Sequence, residues 1–407
     1  MNIWIFNHYA VVPDMPGGTR HYDFAKELIK RGYSVTIFAS SFNYNLHKEL
    51  KLGQGGRWII EKREGINFVW IKTFAYQKNN WRRVFNMLSF MWRAYWLGRK
   101  ITRINNNIYK PDIIIGSSVH LFAVLSAYCL SRYYKAKFIM EARDLWPQTL
   151  VDIGEYKEND LIVKTLRCLE KFLYQRAQKI IVVLPQADEY ITSLGIENSK
   201  IVWIPNGVSL TKFGKRKKEK LNNFFKAIYL GAHGQANALN IILDVAKIIQ
   251  DKEFKKIKFF FIGDGAEKKN LIEYKNKLGL KNVVFCNSVP KTETCNALSG
   301  ADILLFNLKK LEVFKYGISS NKLFDYMAAG KPIIFSVDAV NNPVQEAGCG
   351  LSVTPEKPRQ MAEAIIRLYQ LLPQERERMG QKGRKYVEEY HNIPILVDKL
   401  EQVIQNL

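Results

Sequence analysis

Two successive α/β domains with doubly wound parallel sheets are what this sequence predicts, and three observations predict them. Short β-branched or aromatic runs alternate with helical patterns along the whole chain. Several of these runs end in glycine-rich or polar turns that open onto the next helix. The 407 residues exceed one typical core, and a hydrophobic content of 47% fills two.

In the first half the runs at 3–6, 34–39, 112–115, 137–140 and 179–184 read as strands, with helices beginning near Thr19, Leu121 and Leu161. In the second half the strands fall at 227–230, 257–262, 282–285, 303–306 and 332–335, with helices near Asn237, Ala266, Lys291 and Asn321. Between them, Pro205-Asn206-Gly207-Val208 reads as a turn and the basic run 212–220 as a solvated connector. The first domain is therefore expected over 1–205 and the second over 206–392. Ligands of such sheets gather at the carboxyl ends of the strands, so two facing domains would enclose a cleft between two rims.

Lys and Arg number 61 against 38 Asp and Glu, a surplus of 23 that favours a polyanionic partner, nucleic acid or anionic lipid. Residues 1–205 hold 29 basic and 17 acidic residues and residues 206–407 hold 32 and 21, so neither half is a dedicated basic domain. No RRM-like, KH-like or zinc-knuckle pattern accompanies the charge, and nucleic acid is not the expected partner. Five scattered cysteines without a C-x-x-C pair predict buried thiols, with neither a disulfide nor a metal site. No run reaches the roughly 20 apolar residues of a membrane span, and the first strand is too short for a signal peptide. A cytosolic protein is expected.

The segment 81–103 contains six Lys/Arg, six aromatics and no acid. Trp81, Phe85, Leu88, Trp92, Trp96 and Arg99 recur at helical spacing, which makes an amphipathic helix. Between core packing and a membrane, the aromatic stripe itself is read as core. Trp81, Arg82, Arg83, Arg93 and Lys100 are read as the basic surface that faces anionic head groups.

Five loops carry candidate chemistry. Gly17 and Gly18 precede a helix whose first turn holds Arg20, a phosphate or sugar approach or else a tight turn. Glu141, Arg143 and Asp144 crowd the end of a strand, as a structural ion pair or as contacts to sugar and leaving group. Gly231 and His233 form a further glycine loop before a helix, with an ordinary surface histidine as the alternative. Gly263, Asp264 and Gly265 make a strand-to-helix turn that lacks the full dinucleotide fingerprint, so a nicotinamide dehydrogenase is not expected. The last is 317–332, where Ser320 or Asn321 caps a helix whose free N–H groups favour a phosphate. There Lys322 sits in the first turn, Asp325 stands ready for a ribose diol, and Gly330 ends the helix. A capped helix before a parallel strand is the plainer reading of the same residues.

The order Gly17-Gly18, Pro205-Asn206-Gly207-Val208, Gly263-Asp264-Gly265 and Leu323-Phe324-Asp325-Tyr326-Met327-Ala328-Ala329-Gly330-Lys331-Pro332 resembles glycosyltransferase family 4 over nearly the whole chain. The resemblance implies a GT-B fold, with the acceptor held mainly by the first domain and the nucleotide-sugar donor mainly by the second. It also implies a last helix, about 393–407, that returns to the first domain. Gly17 and Gly18 match the family's loop near the donor phosphates, and Gly263 and Asp264 the turn beside the nucleotide. Asp325 matches the second acid of the E-x7-E element, which holds the ribose. Its first acid is replaced by Gly317, the usual His-Asp pair reads Arg143-Asp144, and no Arg-Lys pair follows Gly231. Lys322, Arg143, Arg20 and the helix N–H groups are left to hold the diphosphate.

Glu141 to Pro147 and Ser320 to Tyr326 are similar to the branch that builds O-antigen, capsule and related surface polysaccharides. That likeness implies a polyprenyl-diphosphate-linked saccharide acceptor, an anionic membrane surface at the inner face of the plasma membrane, and a UDP-N-acetyl sugar as donor. Retention without metal or other cofactor is implied as well, with Arg143, Asp144 and Lys322 as the catalytic set. Two alternatives stand beside it, a UDP-sugar epimerase of the same fold and a non-catalytic membrane-surface scaffold.

Overall fold

Residues 1–53, 55–77, 81–152, 154–213 and 224–407 are described by a computed structural model. The chain divides into one unit of Met1–Pro205 with Ile393–Leu407 and a second of Asn206–Asn392. From residue 214 to 220 the expected basic connector lies outside the described residues.

Strands that are apolar on both faces need cover on both faces, which is the condition of a parallel sheet. In the first unit the large sheet has such strands inside it and more exposed ones, β5 and β10, at its edges: β1 (Asn2–Phe6), β2 (Ser34–Ser40), β5 (Trp58–Arg63), β6 (Ile66–Ile71), β7 (Ile113–Ser118), β8 (Lys137–Ala142), β9 (Lys179–Val182) and β10 (Ile201–Trp203). A small separate pair, β3 (Phe42–Asn43) and β4 (Lys48–Glu49), follows β2. The large sheet runs β10-β9-β8-β7-β1-β2-β6-β5 and is parallel except for β5, with Ile5 registered between Ile37 and Ile115. Its helices are α1 (Arg20–Lys30), α2 (Trp81–Ile104), α3 (Leu121–Tyr134), α4 (Gln148–Asp152), α5 (Leu161–Arg176) and α6 (Ala187–Ser193). The hairpin β5–β6 was not among the expected strands. Its signal is the pair Glu64-Gly65, whose φ values of 47° and 86° suit a two-residue turn.

Helix α2 corrects the reading of the aromatic stripe. Trp81, Phe85, Trp92 and Trp96 are exposed by 59%, 53%, 61% and 40%, and the buried face is Met87, Phe90, Ala94, Leu97, Gly98 and Ile101. The small residues decide this. A Cβ on Gly98 would stand 2.6 Å from Leu130 Cδ1 of α3, so only that face admits such a close approach.

The second unit carries β11 (Phe225–Leu230), β12 (Ile257–Ile262), β13 (Val283–Cys286), β14 (Ile303–Asn307), β15 (Ile333–Ser336) and β16 (Gly350–Ser352), all parallel in the order β13-β12-β11-β14-β15-β16. Its helices are α7 (Leu239–Asp251), α8 (Lys268–Lys277), α9 (Thr294–Ser299), α10 (Asn321–Ala328), α11 (Pro343–Ala347), α12 (Pro358–Gln370) and α13 (Pro373–Tyr390). The final helix α14 (Ile393–Gln405) packs on α1 of the first unit, where Arg31 Nη1 donates to Glu401 Oε2 at 2.8 Å. No helix among the described residues is long and apolar enough to cross a membrane.

Both sheets reverse direction beside their first strand, between β1 and β7 in one unit and between β11 and β14 in the other. Such reversal points open a crevice at the carboxyl ends of the strands.

Candidate functional site

In the second unit, β11 pairs with β12 along its whole length but with β14 only at Ala227 and Ile228. Past that point the Tyr326 hydroxyl fills the gap, accepting from Leu230 N at 2.7 Å and donating to Leu230 O at 2.9 Å. Helix α10 is thereby tied to the end of β11 and aims its first turn into the crevice. Ser320 stands at its N-cap without a side-chain cap bond, so the expected cap is not made.

Lys322 lies in that first turn. Its Nζ sits 4.5 Å from the Tyr229 ring centroid and 4.8 Å from that of Phe306, and donates to Asn237 Oδ1 at 2.9 Å and Tyr229 Oη at 3.3 Å. No carboxylate within salt-bridge distance of it is found among the described residues. Burial pushes its pKa down to about 7. An ammonium held this way gains most from an arriving anion.

Two glycine loops frame the lysine. A Cβ on Gly231 would stand 2.9 Å from Lys322 Cδ. Gly263 and Gly265 both have φ of 154°, and their Cβ atoms would fall 1.9 Å from Gly231 O and 2.5 Å from His233 O. The loops interlock through His233 N donating to Asp264 O at 2.8 Å, while the Asp264 side chain accepts from Gly265 N. His233 is fully buried with both ring nitrogens unbonded, and burial, helped by Lys268, pushes its pKa down to about 4. The ring is neutral and is no surface histidine. Asp325 is 6% exposed and forms an ion pair with Lys291, a residue the sequence reading missed although it follows a strand end.

In the first unit the crevice at β1 and β7 gathers Asn7, His8, Ser117, Ser118 and His120. Glu141, at the end of β8, is buried, with Oε1 accepting from Arg20 Nε at 2.9 Å and Oε2 bonded to His21 Nε2 at 2.7 Å and Ser117 Oγ at 2.6 Å. Burial opposes its charge, yet His21 and Arg20 hold its carboxyl well below the usual range. Arg20 also donates to the carbonyls of Pro205 and Ile204 at 2.5 and 2.9 Å, and its side chain is 1% exposed. This corrects two expectations. Arg20 and Glu141 are not donor contacts; they are partners in a buried ion pair that fastens α1 to β8, because every accessible oxygen and most N–H groups are already used.

Arg143 N donates to Ser118 Oγ at 3.2 Å, and its Nε is buried without a partner. Asp144 is exposed yet ringed by protein that raises its carboxyl pKa, with Arg143 and Arg83 pulling it back. Gly17 has a local reason, since with φ of 144° its Cβ would meet Val11 Cγ2 at 2.9 Å; Gly18 follows it just ahead of α1.

The basic residues of α2 separate. Arg82, Arg93 and Lys100 are exposed, as Trp81 is. Arg83 is the correction: it turns inward, with Nε buried and without a partner, toward Tyr9, His8, His120 and Asp144. Helical spacing puts it about 180° from Phe85, on the packed side.

The family model described as glycosyl transferases group 1 matches residues 211–386, and that described as glycosyltransferase family 4 matches residues 17–212. A probable glycosyltransferase, WbjE of Pseudomonas aeruginosa, is 22% identical over 322 residues, covering 74% of this chain and 76% of that protein. Among solved structures, sucrose-phosphate synthase of Thermosynechococcus elongatus is similar with a TM-score of 0.76 at 16% identity, covering 100% and 98% of the two chains. HepE of Anabaena, solved in complex with UDP-glucose, gives 0.68 at 13% identity over 100% of both chains.

Proposed function

We propose, for a chain that belongs to glycosyltransferase family 4 and has its two-domain GT-B fold, transfer of a sugar from a uridine diphosphate N-acetyl sugar to a polyprenyl-diphosphate-linked saccharide. The transfer retains the donor's anomeric configuration and uses no metal. The observation that carries the reading is Lys322, a half-buried amine with no carboxylate partner among the described residues, in the first turn of an uncapped helix at the sheet's reversal point.

A diphosphate at that place meets the lysine and the helix N–H groups together. These stabilise the charge that develops on the leaving group, and a released phosphate oxygen takes the acceptor's proton. Asp325 accepts from the ribose and Gly263–Gly265 line the nucleotide. HepE, a relative in fold, was solved with UDP-glucose, which supports the choice of uridine. The polyprenyl acceptor, the N-acetyl sugar and a place in surface-polysaccharide synthesis rest on the resemblance of residues 141–147 and 320–326.

The exposed stripe of α2, flanked by Arg82, Arg93 and Lys100 on a chain of net charge +23, suits an anionic lipid surface, the inner face of the plasma membrane. A scaffold would use that stripe too, but it gives no reason for a half-buried lysine without a carboxylate partner among the described residues.

The test is incubation with UDP-N-acetylglucosamine, UDP-glucose or GDP-mannose and a polyprenyl-diphosphate disaccharide, read by mass spectrometry. A product heavier by one sugar, lost in Lys322→Ala, is expected. Turnover by Lys322→Ala equal to wild type would overturn the assignment of the leaving-group site.

A further inference from the structure

Around the reversal point of the first sheet, five polar atoms are buried without a well-formed hydrogen bond, His8 Nε2, Tyr9 Oη, Arg83 Nε, Asn86 Oδ1 and Arg143 Nε, although the His8 ring lies against the Asn86 amide and the Tyr9 phenol against the Arg83 guanidinium. Buried polar atoms are rarely left unbonded, and this many in one neighbourhood calls for a reason. His8 and Tyr9 are 2% and 8% exposed, and they follow β1 directly. His8 Nδ1 is bonded to His120 Nε2 at 2.7 Å, which fixes the ring and leaves Nε2 turned elsewhere. Burial holds both imidazoles neutral.

Arg83 is the charge of the group. The Tyr9 phenol lies beside its guanidinium, and Tyr76, Glu155 and Asp144 also face it, but among the described residues it forms no salt bridge to a carboxylate. A guanidinium fork with a phenol beside it matches phosphate oxygens better than sugar hydroxyls, because charge-assisted bonds are shorter and about twice as strong. The surroundings of Arg83 point the same way. Trp81 and Phe85, two residues to either side of Arg83, point outward with rings 5.5 Å apart, and Phe74 joins Phe85 at 6.1 Å. One helical turn thus presents a lipid-facing aromatic group outward and a phosphate-binding group inward.

We propose that Arg83, Tyr9 and His8 form the binding site for the diphosphate of a polyprenyl-linked acceptor, with Arg143 at its inner end. The inference rests on the lipid-linked acceptor proposed above. Arg83 positions the acceptor and takes no part in donor binding.

The experiment is titration of farnesyl diphosphate, a soluble short-chain probe, into the full-length protein, its Arg83→Gln and Tyr9→Phe variants, and Arg83→Lys as the conservative one. UDP and phosphatidylglycerol vesicles are titrated in parallel, and each variant's Tm is recorded. The expected result is farnesyl diphosphate binding weakened ~10²-fold in Arg83→Gln and partly restored in Arg83→Lys, with UDP and vesicle binding unchanged. Unchanged farnesyl diphosphate binding in Arg83→Gln, or none in wild type, overturns the site. A parallel loss of UDP binding would assign the arginine to the donor, and a parallel loss of vesicle binding to a phospholipid head group; either contradicts the proposal. If UDP fails to bind while farnesyl diphosphate binds through Arg83, the donor reading falls and the phosphate site stands.

Discussion

Lys322 lies across Gly231 so closely that a Cβ on residue 231 would stand 2.9 Å from Lys322 Cδ, with Tyr229 Oη only 3.1 Å away. The glycine is what lets the lysine cross the loop and lie over the Tyr229 ring. Gly231 is not among the glycines of positive φ, so the backbone itself accepts alanine. The constraint is steric and belongs to the site.

Gly231→Ala should therefore displace Lys322 without unfolding the domain. The expected outcome is a donor KM raised about tenfold, equivalent to ~1.4 kcal/mol, with a small change in Tm. Donor-dependence kinetics beside a thermal melt check it; a large fall in Tm with an unchanged KM would contradict it.

Diphosphate binding should take up a proton. With a pKa near 7, Lys322 is mostly neutral at pH 8.5, and a diphosphate beside it restores the charged form. Calorimetry of UDP binding in buffers of different ionisation enthalpy should give uptake of about one proton at pH 8.5 and close to none at pH 6. Equal uptake at both pH values would place the proton elsewhere.

Glu170 offers a stability test away from the site. Its Oε2 accepts from the Tyr190 hydroxyl at 2.7 Å, the Tyr174 hydroxyl also faces it, and burial raises its pKa to about 8. The folded state then binds more protons than the unfolded chain between about pH 4.5 and 8, so stability falls as pH rises through that window. Glu170→Gln should raise Tm at pH 9 and leave it nearly unchanged at pH 4.5. A gain at acid pH alone would refute the sign.

Trp92 and Trp96 are exposed with rings 5.7 Å apart, so replacing them costs little packing within the fold. Burying a large apolar side chain is worth about 1.5–3 kcal/mol. The double change to serine should weaken binding to phosphatidylglycerol vesicles by ~10²-fold or more and preserve Tm, measured by co-sedimentation and melting. Undiminished sedimentation would remove the stripe from the membrane.

The fold was legible because its strands are apolar and bounded by turns that read as turns. Strands with weaker signals were not: β16 is three residues long, and β5 is exposed on its outer face as the sheet edge. Lys322 and the glycine loops come together at the second reversal point, as their places at strand ends suggest. Arg20 and Glu141 were misplaced because their partnership spans 121 residues and depends on burial that local chemistry does not display. The stripe of α2 was misread for a related reason. The helix has two apolar faces, and Gly98 against Leu130 selects between them only in three dimensions.

Lys322 as the anchor of a nucleotide diphosphate is tested most directly by titrating UDP into wild type and Lys322→Met at pH 7.5. Binding is expected in wild type, with a loss of affinity of ~10-fold or more in the variant and a Tm equal to or above that of wild type. Equal UDP affinity in the two proteins would contradict it.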